Sequence, residues 1–233
     1  MTLVHPYVVL LDLDNTLIDN DRIKADLSEL LLEIGGPEIQ RSWTVLYEQV
    51  RSELGVVSIP LTMQRFAAAH PDSGHAARVA DLLMRYPYRR RVFPGALAAL
   101  RRLRRLGPLA ILSDGEPWFQ MKKICGSGLD RAVEGNVMLF AHKEDHLDDV
   151  FRWYPAERYI FIDDKPRLGA VLKKLLGDRV TTVWVRQGSY AAAGWDAAES
   201  PADIVLDSIA AARTIHPARH VATEESAMAG AAS

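Results

Sequence analysis

The chain of 233 residues is 48% hydrophobic and 25% charged, the profile of a globular protein long enough for a substantial core. Its 28 Lys and Arg against 30 Asp and Glu leave a net charge of -2, so there is no overall basic field of the kind a nucleic-acid partner requires. The single cysteine, Cys125, excludes an internal disulfide framework; no apolar run approaches the roughly 20 residues of a membrane span, and MTLVHPYVVL lacks a basic region and a cleavage-like site, so a cytoplasmic protein with no membrane partner is expected.

Residues 8–11 are four apolar residues followed at once by Asp12, which reads as a buried strand delivering an acid to the rim of a sheet. Asp14 stands two residues further on, and carboxylates this close repel unless a cation or a shared proton lies between them. From about residue 20 to 92 the texture is helical. Ile23, Leu27, Leu30, Leu31 and Ile34 recur at helical spacing before a breaker, Gly35-Gly36-Pro37. Trp43, Leu46, Tyr47, Val50 and Leu54 repeat the pattern, and Val79, Leu82, Leu83 and Tyr86 give it again. Three or four amphipathic helices in succession predict a small bundle, in which Trp43 and Tyr47 belong to the packing.

After Pro94 helices alternate with strands. A helix over Ala96, Leu97, Leu100, Leu103 and Leu106 leads to a strand at 109–112 that ends at Ser113-Asp114-Gly115, and a helix starts at Pro117. A strand at 135–141 precedes Lys143 and a helix to about Trp153. The strand at 159–162 ends at Asp163-Asp164, a helix follows over 166–176, and strands are expected at 180–185 and 204–206. This alternation predicts an α/β fold with a mainly parallel sheet covered on both faces, whose ligands bind beyond the carboxyl ends of the strands. Asp12, Asp14, Ser113, Lys143, Asp163 and Asp164 all fall at such ends. Two other clusters read as solvated helix faces: His142 and His146, four apart, and the arginines at 101, 102, 104 and 105.

Converging acids with few other protein ligands suit magnesium, with Asp12, Asp14, Asp163 and Asp164 as candidate ligands. Asp12 could also attack an electrophilic phosphorus, and Asp14 could carry the proton of the departing oxygen. Ser113 offers a hydroxyl to a phosphoryl oxygen, Lys143 a fixed positive charge, and Thr16 a hydroxyl that fixes the turn after Asp14.

This order of features resembles the haloacid dehalogenase superfamily over about residues 7–210. Its first motif, Asp-x-Asp-x-Thr after a hydrophobic strand, appears as DLDNT at 12–16. The second is ILSDG around Ser113, approached through FPGALAALRRLRRLG. Lys143 matches the third, and FIDDKP with Asp163 and Asp164 the fourth. The resemblance implies a Rossmann-like catalytic core at 1–19 and 93–215 and an α-helical cap at 20–92; the remainder, 216–233, reads as a flexible tail. It also implies an aspartate nucleophile, magnesium and a small phosphorylated substrate. Members named for dehalogenation lack an acid two residues after the nucleophile, so Asp14 points to phosphatase chemistry, with a phosphomutase or a non-catalytic phosphate- or partner-binding member as the alternatives. Three positions depart from the pattern: Asp114 stands where Asn is common, Glu144 follows Lys143 in place of Pro, and Leu168 occupies the place of a further Asp.

Overall fold

The computed structural model describes residues 4–71, 73–192 and 202–216. Six strands form one sheet in the order β3-β2-β1-β4-β5-β6, with every pairing parallel. They are β1 (His5–Leu11), β2 (Leu109–Asp114), β3 (Val137–Phe140), β4 (Ala156–Asp163), β5 (Val180–Val185) and β6 (Ile204–Leu206). The expected alternation thus gives an entirely parallel Rossmann-like sheet. The order runs one way from β1 to β3 and the other from β4 to β6, so the topological switch lies between β1 and β4, where such sheets open a crevice.

Alternation along the strands divides the core into two layers. Val9, Leu11, Ile111, Ile160, Ile162 and Val183 face one side. There they meet α4 (Ala96–Leu103), α5 (Pro117–Ser127), α6 (Leu129–Ala132) and a 3-10 turn at Ile209–Thr214. Val8, Leu10, Ala110, Leu112, Tyr159 and Phe161 face the other side and meet α7 (Leu147–Trp153) and α8 (Pro166–Leu176). Leu168, at the third departure from the motif pattern, is 4% exposed in this second layer. Lys143 opens a 3-10 turn, and the helix that was expected to begin there begins at Leu147.

The helical segment is α1 (Asn20–Leu54), α2 (Ile59–Ala69) and α3 (His75–Arg85). The expected break at Gly35-Gly36-Pro37 is a sharp bend rather than a gap: Gly36 takes φ 72° and ψ -169°, a conformation open to glycine. The three helices bury a third cluster of their own, Leu27, Leu31, Trp43, Ile59, Phe66, Val79 and Leu83. Their two connections to the rest of the chain run side by side, with Ile18 bridged antiparallel to Val92 and the Asp19 amide donating to the Arg91 carbonyl at 2.7 Å. Among the described residues no helix is long and apolar enough to cross a membrane. Apart from His216, the expected tail lies outside the described residues.

Candidate active site

β1 and β4 are hydrogen-bonded neighbours, so their carboxyl ends bring Asp12 beside Asp163 and Asp164. Each of the three offers a carboxylate oxygen within 4.8 Å of the others, and all three residues are buried. Lys143 reaches down between them. Its Nζ donates to Asp12 Oδ1 at 2.7 Å and to Asp163 Oδ2 at 2.9 Å. Burial disfavours the Lys143 ammonium, but Asp12 and Asp163 outweigh it and raise its pKa. Burial raises the Asp12 pKa against the pull of Lys143, with Asp163 adding to the rise. For Asp164 burial, Asp12 and Asp163 all act upward.

Every side chain of this group except that of Asp164 is held by a hydrogen bond, while the Asp164 backbone carbonyl accepts from Trp184 Nε1 at 2.9 Å. Thr16 donates its hydroxyl to Asp12 Oδ2 at 3.3 Å, and the Asp163 Oδ1 accepts from the Lys165 amide at 2.8 Å. Among the described residues neither Asp164 oxygen has a hydrogen-bond partner, although both are buried. Orphaned acceptors facing two other carboxylates are what a hard divalent cation would satisfy, and an all-oxygen donor set with few ligands suits magnesium.

Asp14, the fourth expected ligand, is not a member of that three-acid side-chain group. Its side chain stands apart from the three acids and accepts from Lys123 Nζ at 2.5 and 2.6 Å, and from Gln120 Nε2 at 3.1 Å. Lys123 is 2% exposed, also contacts Asn20 Oδ1 at 3.3 Å, and has its pKa lowered by burial against the pull of Asp14. Gln120 Nε2 also donates to Ser113 Oγ at 3.0 Å. Asp114 has a structural explanation: its Oδ1 accepts from the Lys143 amide at 2.6 Å and ties the two loops together.

A cavity of about 820 Å³ lies between the α1–α3 cluster and the strand ends. Asp14 opens onto it directly. Asp12, Ser113, Lys143, Asp163 and Asp164 are not among the lining residues, although each has a close chain neighbour, such as Asp114, His142 or Lys165, that is. From the helical side come Asn20, Asp21, Lys24, Trp43 and Tyr47. The Tyr47 phenol pKa is raised by burial, then by Glu48, with Arg51 opposing and Asp14 adding to the rise. Arg22 pairs with Asp26 and Glu29 and is absent from the lining. His146 stacks on Phe140 with ring centroids 4.4 Å apart, and the exposed His142 belongs to the cavity lining.

Gln120 and Lys123 are the site residues that motif spacing missed. Their signal was present on α5, where Gln120, Lys123 and Ser127 share one buried face with Ile124. Polar side chains on the core-facing stripe of a helix need partners inside the protein.

A Rossmann-like sheet with buried carboxylates and a lysine at its switch point defines the class of enzyme. A haloacid dehalogenase-like hydrolase from Burkholderia xenovorans LB400 is 40% identical, matched over 91% of this chain and 99% of that one with a TM-score of 0.83. The chain belongs to the haloacid dehalogenase-like hydrolases. The HAD-hydrolase YfnB from Bacillus subtilis, solved bound to magnesium, is 18% identical, with coverage of 88% and 96% and a TM-score of 0.57. The L-2-haloacid dehalogenase from Xanthobacter autotrophicus is also 18% identical, with coverage of 91% and 97% and a TM-score of 0.58; these two share the fold. No protein-family profile and no curated protein matches the sequence.

Proposed function

We propose that the chain is a magnesium-dependent phosphoric monoester hydrolase acting on a small phosphorylated metabolite, with α1–α3 as the cap over its site. The observation that carries this reading is the pairing of unlike acids: Asp12 sits in the buried group with Asp163, Asp164 and Lys143, while Asp14 stands outside it on the cavity wall. A nucleophile needs charge balance, and a proton carrier needs access to the leaving group. Asp12 and Asp14 meet these needs separately.

Asp12 attacks phosphorus through one carboxylate oxygen and forms an aspartyl phosphate, a route that divides one hard displacement into two easier ones. Lys143, fixed on Asp12 and Asp163, balances charge that builds on the transferring group. Ser113 Oγ is the hydroxyl available to a phosphoryl oxygen. Asp14 delivers a proton to the departing alkoxide and later takes one from water, while Lys123 and Gln120 hold it at the cavity edge. Magnesium bound by Asp12, Asp163 and Asp164 would supply Lewis-acid stabilisation of the phosphoryl oxygens. Asp164, with both oxygens unpartnered, is the better direct ligand of the second pair.

The test is a panel of phosphate esters and 2-haloacids assayed with magnesium for phosphate and halide release. Phosphate release that disappears in Asp12→Asn, with an unchanged melting temperature, is the expected result. Halide release without phosphate release would overturn the reading.

A further inference from the structure

A buried amide outside the cavity braces the turn that carries the candidate proton donor. Gln187, two residues beyond β5, is 9% exposed, and both ends of its side chain are bonded. Its Oε1 accepts from the Ile209 amide at 2.6 Å, and its Nε2 lies 3.3 Å from the Asn15 carbonyl oxygen and 3.3 Å from that of Thr16. These partners fix the orientation: turned over, Oε1 would face two carbonyls and Nε2 an N–H. The anchored end is firm, since Ile209 is fully buried in the core layer that holds Val9, Leu11 and Ile162.

The braced turn has its own constraints. Asn15 takes φ 61°, a left-handed conformation uncommon outside glycine, and its Oδ1 accepts from the Asn20 and Asp21 amides at 3.1 and 3.2 Å as α1 begins. The two residues after Gln187 bear on the same segment. A Cβ added at Gly188 would lie 2.7 Å from the Asn15 Cβ, and the Ser189 amide donates to Asp21 Oδ2 at 2.8 Å. Asp12 has separate support, because its amide donates to the Ile162 carbonyl at 2.9 Å and its Oδ1 accepts from Lys143. Loss of the brace therefore displaces Asp14 more than Asp12.

We propose that Gln187 is a positioning residue for Asp14. It carries the fixed position of Ile209 to the carbonyls on either side of the Asn15–Thr16 peptide, and so holds the neighbouring Asp14 in place for proton delivery to the departing oxygen. The proton-delivery role rests on the phosphatase reading, while the brace itself is measurable without turnover.

The variant is Gln187→Met, which keeps the side-chain length and removes both hydrogen bonds. Benzyl phosphate must leave as an alkoxide and needs the Asp14 proton, whereas p-nitrophenyl phosphate leaves as a stabilised phenolate and needs it far less. The kcat/KM for benzyl phosphate is expected to fall about tenfold further than that for p-nitrophenyl phosphate, the scale of a misplaced acid. A merely structural Gln187 would lower the melting temperature and slow both esters alike. Hydrogen exchange gives the reading without chemistry: the Asn15 and Ile18 amides, which close the turn, should exchange about tenfold faster in the variant, with Val9 and Leu10 of β1 unchanged. Gln187→Asn, one methylene too short to span both partners, takes the place of Gln187→Met if that variant does not fold. An unchanged ratio of the two esters, or exchange in the turn that does not quicken, overturns the proposal. Hydrolysis of neither ester by the unaltered protein would count against the phosphatase reading, and exchange alone would then decide the brace.

Discussion

Asp164 shows what the site costs its own protein. It is 1% exposed, neither oxygen has a hydrogen-bond partner among the described residues, and Asp12 and Asp163 both oppose its charge. Asp163 is equally buried but is held by Lys143 and the Lys165 amide. The two adjacent acids that look interchangeable in FIDDKP are therefore physically different. An uncompensated buried carboxylate weakens the fold, so Asp164→Asn should be more stable than the unaltered protein in chelator at neutral pH. An amide there supplies a donor to the neighbouring carboxylates and removes the repulsion. A gain of about 1–2 kcal/mol corresponds to a melting temperature higher by about 2–8 °C for a chain of this size. Differential scanning calorimetry should also show that magnesium raises the melting temperature of the unaltered protein and leaves the variant unmoved. A less stable variant in chelator would show that Asp164 is satisfied without metal.

At the scale of elements, the joint between the helical cluster and the sheet is built around Asp26 on α1. It accepts from Tyr86 Oη, from Arg91 Nη2 at 2.5 Å and from Arg22 Nη2 at 2.6 Å, which ties α1 to the returning chain. Burial works against the carboxylate, but the hydrogen bonds from Tyr86 and Arg91 prevail and hold its pKa below 3.8. A depressed folded pKa contributes stability that is complete above the unfolded value and is lost as pH falls through the folded one. Asp26→Asn should therefore lower the melting temperature by a few degrees at neutral pH, on a scale of about 1–2 kcal/mol. The gap from the unaltered protein should close only below about pH 3.8. A gap that is constant down to pH 2.5 would place the effect in packing rather than in the charge. This joint was not legible in the sequence, because Asp26, Tyr86 and Arg91 lie 60 and 65 residues apart and no local pattern links them. The strands were legible, since residues buried on both faces read as short uniform apolar runs. The Asp12, Ser113, Lys143 and Asp163 positions followed because strand ends converge by topology. Gln120 and Lys123 did not, because they reach the site from the side of a helix one turn inside it.

For the whole molecule, the arrangement of apolar clusters decides what can fold alone. All seven buried residues of the helical cluster, from Leu27 to Leu83, lie inside the segment between Asp26 and Met84. No buried member of either sheet-facing layer lies in that segment; Ile23, Tyr86 and Tyr88 flank it and pack with the sheet. The contact between Asp26 and Tyr86 keeps the flanking chain ends close, so a short glycine-serine linker can join them after removal of residues 27–83. The shortened protein is expected to unfold in one cooperative transition and to bind magnesium through Asp12, Asp163 and Asp164, as followed by calorimetry. It should lose the whole protein's discrimination among phosphate esters, because Leu31, Trp43, Tyr47 and Ile59 leave with the excised segment. A non-cooperative chain that binds no metal would show that the helices are part of the core's folding unit. A cooperative chain with unchanged ester preference would place selectivity in the sheet domain, on Phe119 and Gln120.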